Sequence, residues 1–517
     1  MGPKIKTKIP ECVKLNDDNF SNDINVILDK WETEFSNMYN KPNEVTRHFD
    51  NNFLEFIIRE KERLESNNDD SNSNIVLNEA ISYNEVESVI VKLKPGKATG
   101  IDNVPNEVLK SDSIKLCIFH LVNKCFETGQ VPSVWLQSVI CPIPKGGKDP
   151  YVPLNYRGIS LLSTISKIYT SVLNNRLVKY LENMNLITEE QGGFRKGRSC
   201  IDQIFTLTSI IKNRQNLSKD TFVAFVDMEK CFDWVDRDMM LFKLFSFNVD
   251  GNFYRAVRSI YSNSISCIKL NDRHTNFFNI SCGVRQGEVL SPTLFSIMIN
   301  DLAAGIKDLN IGVNCGEFMV SLLMYADDIA LIAETPENLQ KMLDYMSNWC
   351  KKWRMKVNVS KTNVVHFRKK RKRLTSSLFY YNGEVFDKVP QYKYLGVFLD
   401  EHIDFKYAIN MLNDSGNRAL GAIISKFKSL KDAGYKTYSK LFNSCVEPII
   451  HYCSGVWGYV NNKDLNKVFN RAERFYLGLP PKTPIYGYQG DMGWLLPKYS
   501  MYCNMAKLFN RFYNMDN

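Results

Sequence analysis

Apolar residues along this chain recur at two spacings, and each spacing predicts an element. In "NDINVILDKWETEFSNMYN" (Asn22–Asn40) they return every third or fourth position, which predicts an amphipathic helix. The stretch "ESNNDDSNSN", Glu65 to Asn74, is polar throughout, has no means of forming a core, and sets an expected boundary near residue 75. Helices alternating with short apolar runs are expected from there to about residue 220. "TFVAFVDMEKCFDWVD" then reads as a buried strand turning into a helix, and "NISCGVRQGEVLSP" with "TLFSIMINDLAAGIKDL" as a strand and the helix after it. "SLLMYADDIALIA" (Ser321–Ala333) is a pair of apolar strands around a polar tip. An amphipathic helix over "TPENLQKMLDYMSNWCKKWRM", a strand over "KTNVVHF" and a second hairpin ending in "YKYLGVFLD" follow. From about residue 403 the pattern is mainly helical and dotted with Lys and Arg. The class is α+β.

Length and composition widen this picture without redirecting it. With 517 residues and 44% hydrophobic composition the chain can bury a large core, spread over about two to four lobes. The net charge of +10, from 66 Lys and Arg against 56 Asp and Glu, favours a polyanionic partner, with a membrane surface or simple solubility as open alternatives. No apolar run reaches the roughly 18 residues of a membrane span, and "MGPKIKTKIPECVK" has no apolar signal core, so no membrane partner is expected and the expected location is intracellular, nuclear and cytoplasmic. The 13 cysteines include no CxxC pair and read as reduced thiols. Cys445, His451 and Cys453 lie near one another in sequence but lack a fourth partner at zinc spacing.

Candidate chemistry enters with the carboxylates. Asp327 and Asp328 are adjacent like charges between two segments that want burial, for which local stability gives no reason. A turn tip is one reading, since Asp is a common turn residue. Asp227 directly follows "TFVAFV", where a strand delivers a side chain to the edge of a sheet; a helix N-cap is the alternative. If that strand lies beside the hairpin, three carboxylates converge, and their repulsion calls for cations. Hard oxygen ligands of this kind suit Mg²⁺, in the arrangement of a two-metal phosphoryl-transfer site. Asp233, Asp236 and Asp238 are expected to form a solvated acidic face.

The ordered series "KPGKATGIDNVPNEVLK", "CPIPKGGKDPYVPLNYRGISLLSTISKIY", "QGGFRKGRSCIDQI", "FVDMEKCFD", "GVRQGEVLSPTLF", "YADD", "NVSKT" and "YLGVFLD" resembles the reverse transcriptase of LINE-type, non-LTR retrotransposons over about residues 80 to 400. The resemblance implies a right-hand polymerase. Its parts would be an N-terminal extension, mainly helical, over 1–75, fingers over 76–220, a palm over 221–402 with finger insertions, and a helical thumb and C-terminal segment over 403–517. It implies that Asp227, Asp327 and Asp328 hold two Mg²⁺ ions and carry catalysis. Phe232 would exclude a ribose 2′-hydroxyl, with a place in the core as the alternative. Gln286 would lie near the incoming nucleotide, and Arg157, Arg195 and Lys361 near its phosphates, unless they are ordinary surface cations.

The partners implied are an RNA template, a DNA or RNA primer strand and deoxynucleoside triphosphates, with target-primed synthesis in the intact element. Two other readings stay open: a non-catalytic, maturase-like RNA-binding protein on a polymerase shell, and an RNA-dependent RNA polymerase. Nothing in the sequence resembles an endonuclease, and nothing specifies an oligomeric state. The run "RKKRKR" (Arg368–Arg373) would grip a nucleic-acid backbone, act as an import signal, or be a solvated loop. Trp457, Arg471, Arg474 and Tyr476 are assigned no site.

Overall fold

The computed structural model describes residues 9–16, 18–40, 48–67, 74–429, 434–460, 464–488 and 490–515. Residues 68–73 of the polar stretch and the opening residues 1–8 lie outside that set. The elements that matter here, in chain order, are α1 (Ile24–Tyr39), β1 (Gln137–Pro144), β2 (Tyr156–Leu161), α2 (Cys200–Asn216), β3 (Thr221–Asp227), α3 (Arg237–Ser246), β4 (Ile265–Leu270), α4 (Ser291–Asp308), β5 (Leu322–Tyr325), β6 (Asp328–Ala333), α5 (Pro336–Lys352), β7 (Asn363–Phe367), β8 (Asp387–Lys388) and α6 (Leu465–Leu477). The fold is α+β. Among the described residues no helix is long and apolar enough to cross a membrane.

Two compact units divide the chain, each assembled from separated stretches. One comprises Met1–Lys196, Asp227–Asn310 and Lys341–Asn358; the other comprises Gly197–Val226, Ile311–Gln340 and Val359–Asn517. These units cut across the linear boundaries drawn from the sequence, because each sheet recruits strands from distant stretches.

In the first unit β1 lies between β2 and β4 in a five-stranded sheet. It pairs antiparallel with β2, with Ile143 opposite Arg157, and parallel with β4, with Val139 opposite Cys267. The helix α1 forms where the apolar periodicity predicts, and the Asp23 side chain caps it by accepting from the Asn25 N–H at 2.8 Å. Its buried face, Ile27, Trp31, Phe35 and Tyr39, packs on Ile140 of β1, Tyr156 of β2 and Ile268 of β4. The segment expected to be a helical extension is thus part of this unit's core.

The second unit holds a five-stranded sheet in the order β5-β6-β3-β7-β8. Six residues of β3, Thr221 to Val226, are buried, as expected of a central strand with both faces covered. Antiparallel β7 runs along one side, with Asn363 opposite Phe225 and Phe367 opposite Thr221. Ile204, Leu207 and Ile211 of α2 share a core with Val223 and Phe225 of β3 and with Leu323, Ala330 and Ile332 of the hairpin. The second hairpin pairs Gln391–Tyr394 with Val397–Asp400, and its tip, Leu395 and Gly396, has φ of 45° and 90°. Trp457 is in the core of this unit.

Candidate active site

The hairpin of β5 and β6 closes tightly. Tyr325 is opposite Asp328, leaving Ala326 and Asp327 as the two turn residues. Ala326 is buried with φ 58°, a left-handed conformation that favours glycine. An L-residue held there costs on the order of 1 kcal/mol. Burial of Leu322, Met324, Ile329 and Leu331 on the two strands holds the turn in that conformation and places Asp327 and Asp328 at its tip, half-buried and exposed respectively. The neighbouring strand, β3, ends at Asp227, half-buried where the six residues before it are buried. The Asp227 carbonyl accepts from the Asn358 N–H at 2.8 Å. Strand order thus makes β3, which ends at Asp227, and β6, which begins at Asp328, neighbours in one sheet. Among the described residues no three His, Cys, Asp or Glu side chains are grouped to hold a metal ion.

Lys361 is exposed just before β7, and its carbonyl accepts from the Asn363 side chain at 2.8 Å. The basic run that follows β7 is stapled rather than free. Arg368 forms a bidentate pair with Glu401, Lys370 pairs with Asp404 at 3.1 Å, Lys372 with Asp220 at 2.8 Å, and Lys369 donates to Ser218 at 3.0 Å. Arg371 and Arg373 are exposed.

The remaining predicted residues belong to the first unit. Phe232 is half-buried. Its ring stacks on Phe295 of α4 at 4.4 Å with an interplanar angle of 26°, and the exposed Phe194 meets it edge-on at 6.1 Å. The stretch expected to be a strand at Asn279–Pro292 has only the two-residue strand Phe278–Asn279, because Gly283 (φ 84°) and Gly287 (φ 105°) take the backbone out of extended geometry. Both bends are needed for close approach. A Cβ on Gly283 would sit 2.5 Å from the Asp233 carbonyl oxygen, and one on Gly287 3.0 Å from that of Ser160. In this loop the buried Arg285 donates to the Trp135 and Ile260 carbonyls and to Ser264. The Glu288 side chain is also buried, which pushes its carboxyl above the usual range. Gln286 remains half-buried, donating from Nε2 to Asp233 Oδ1 at 2.8 Å, while its carbonyl accepts from the Ser160 N–H at 2.9 Å.

Asp233 does not belong to a solvated acidic face. It is 8% exposed, and burial lifts its carboxyl to about 6 against the pull of Gln286, Lys230, Lys145 and Tyr39. Its setting in the sequence, one acid among Cys231, Phe232, Trp234 and Val235, is the signal that points inward. Asp236 caps α3 by accepting from the Met239 N–H at 3.3 Å, and Asp238 pairs with Lys61 at 2.5 Å. Arg157 is exposed on β2. Arg195, expected near the triphosphate, is engaged within its own unit. Its guanidinium is bidentate on Glu182 at 2.9 and 2.8 Å and donates to the Thr188 carbonyl at 3.0 Å, which makes it a clasp between the helix carrying Glu182 and the loop after it.

Comparison with known proteins agrees with this chemistry. Residues 143–399 match the family described as reverse transcriptase (RNA-dependent DNA polymerase). The chain is 26% identical over 452 residues to a probable RNA-directed DNA polymerase from transposon BS of Drosophila melanogaster, covering 85% of this chain and 49% of that protein. It is 26% identical to the RNA-directed DNA polymerase from mobile element jockey of Drosophila funebris, covering 75% and 42%. It is 25% identical to a Pol polyprotein of a type-1 retrotransposable element R2 from Nasonia vitripennis, covering 73% and 36%. The chain thus spans about half the length, or less, of these relatives. A solved apo telomerase from Candida tropicalis aligns with a TM-score of 0.37 at 15% identity, over 52% of this chain and 54% of that one. With the ordered motifs, the tight Asp-Asp hairpin and strand β3 at its side, residues 143–399 are a reverse transcriptase domain, similar to those of non-LTR retrotransposons.

Proposed function

We propose that this chain copies an RNA template into DNA from a DNA or RNA primer end, using deoxynucleoside triphosphates, and that in an intact element it does so by target-primed synthesis. The observation that carries the reading is strand order: β3, ending at Asp227, is the sheet neighbour of β6, which begins at Asp328 beside Asp327. The donor set fits Mg²⁺, since all three are hard carboxylate oxygens and none is fully buried. Asp227, Asp327 and Asp328 would hold the two ions, which when bound lower the pKa of the primer hydroxyl and neutralise charge on the leaving pyrophosphate.

The chain's own side chains supply the rest. Phe232 would exclude a ribose 2′-hydroxyl, with its stack on Phe295 holding the plane of the ring. Gln286 hydrogen-bonds the incoming nucleotide, held in place through Ser160 and Asp233. Arg157 and Lys361, both exposed, bind triphosphate oxygens. Arg195 ties its loop to the helix carrying Glu182.

Primer extension on an RNA template with labelled deoxynucleotides tests the reading. The wild type should extend in Mg²⁺. Asp327→Ala should abolish extension while RNA binding stays within a few-fold, because the cationic surface and not the hairpin holds the strand. Substantial extension by Asp327→Ala in Mg²⁺ would refute the assignment. RNA binding without extension by the wild type would favour the maturase-like alternative.

A further inference from the structure

The loop bearing Gln286 and the turn bearing Asp233 are interlocked. Gly283 N–H donates to the Val235 carbonyl at 2.7 Å, and Val284 N–H to the Phe232 carbonyl at 2.8 Å. The missing Cβ of Gly283 lets the two backbones touch. Between them the Asp233 carboxylate accepts from Gln286 Nε2 at 2.8 Å and from the hydroxyl of Tyr39, the last residue of α1, itself buried. Nothing in the catalytic scheme above uses this carboxylate. Its burial costs free energy.

We propose that Asp233 is a positioning residue for Gln286, fixing which end of the Gln286 carboxamide faces the nucleotide. An ionised carboxylate only accepts hydrogen bonds, so it holds the NH₂ end inward and leaves the carbonyl oxygen as the acceptor at the half-exposed side. Tyr39 closes the opposite side of Asp233, tying the orientation to α1 and hence to the core shared with β1 and β2. The proposal rests on the reading of Gln286 as a residue that meets the incoming nucleotide.

Asp233 gains a proton as pH falls through about 6, and once protonated it donates, so the carboxamide can then reverse. The aligned state is therefore the one present above pH 6. The charged and titratable groups around Asp233 are Lys230 on its own turn, Lys145 at the end of β1, Tyr39 on α1 and Cys282 on the facing loop. Arg237 and Arg285 nearby are engaged by backbone carbonyls and do not pair with it.

The test uses the full chain in primer extension on an RNA template, with kcat and deoxynucleotide KM determined separately. Asp233→Asn is isosteric but can donate to the amide oxygen, and Tyr39→Phe removes the second donor while keeping the ring. Both should raise the deoxynucleotide KM, about tenfold for Asp233→Asn, with kcat retained within a few-fold. Asp233→Asn combined with Gln286→Ala should be no worse than Gln286→Ala alone, since the acid acts only through the amide. The wild-type KM should rise as pH falls through 6, and Asp233→Asn should lose that rise. Melting curves check folding; if Asp233→Asn does not fold, Tyr39→Phe and its combination with Gln286→Ala decide. A wild-type KM in Asp233→Asn alongside a raised KM in Gln286→Ala would overturn the proposal and leave the reading of Gln286 standing. Additive losses in the double variant would also overturn it. An unchanged KM in Gln286→Ala would overturn both.

Discussion

Replacing Phe232 by valine separates the two things its ring does. The ring stacks on Phe295 at 4.4 Å and receives the edge of Phe194 at 6.1 Å, while half-exposure leaves part of it to face a ligand. Phe→Val removes about four carbons; at roughly 0.8 kcal/mol per fully buried carbon, halved for partial burial, that is about 1.6 kcal/mol. Loss of the aromatic pair adds about 1 kcal/mol, so the variant should be destabilised by about 2 to 3 kcal/mol and still fold. The gate is read separately. If the ring fills the space of a 2′-hydroxyl, a hundredfold preference for deoxynucleotides corresponds to about 2.7 kcal/mol of differential transition-state binding, and most of it should vanish with the ring. The assay is the ratio of kcat/KM for a matched deoxynucleotide and ribonucleotide on one RNA template and primer, in wild type and variant, beside urea unfolding of both. Deoxynucleotide extension should persist at reduced rate as the sugar becomes less well held. A destabilised, active variant with an unchanged ratio would make Phe232 a core residue and put the gate elsewhere. A wild type that uses both sugars equally would favour an RNA-making polymerase.

Three further outcomes follow from particular contacts. Gly283→Ala should cost at least about 2 kcal/mol and reduce extension, because its Cβ would meet the Asp233 carbonyl at 2.5 Å and φ of 84° disfavours alanine; unfolding and extension of this variant check it, and wild-type stability would contradict the close approach. Glu473, on α6, is buried with one oxygen unpartnered, and burial raises its carboxyl to about 7. An acid raised in the folded state stabilises least when it must ionise, so stability should fall as pH rises from about 4.5 to 7. Glu473→Gln should recover about 1 to 2 kcal/mol at pH 8 and flatten that slope in urea unfolding. Replacing Arg371 and Arg373 by Ser, which spares the paired cations of the run, should reduce the salt dependence of RNA binding if this turn grips a backbone; an unchanged slope with unchanged stability would remove it from the nucleic-acid surface.

What was legible in the sequence is what a short window determines. The apolar runs flanking Asp327 and Asp328 and the one before Asp227 mark the hairpin and the central strand, because burial on both sides leaves little choice of conformation. The helices at 24–39 and 336–352 stood out by periodicity for the same reason. Asp233 was misplaced because its surroundings come from far along the chain: Tyr39 and Gln286 are invisible from "KCFDWVD", whose charges read as solvated. The Glu182 partner of Arg195 is hidden in the same way, since an arginine in a basic, glycine-rich motif gives no sign of it. The strand expected at Asn279–Pro292 failed through its glycines, which mark positive φ and not extension.

The stapled turn after β7 also bears on how the chain meets proteases. Arg368 to Arg373 are six successive trypsin sites, on paper the most cleavable segment of the protein. Cleavage requires a stretch of backbone to peel away and lie extended in an enzyme cleft. Here that motion must break the Arg368–Glu401, Lys370–Asp404 and Lys372–Asp220 pairs, along with the backbone bond from Arg368 to Glu401. Each exposed pair is worth little alone, but all must open together. Basic residues crowded for charge have in this way been made resistant to nicking, and a limited digest should cut elsewhere first.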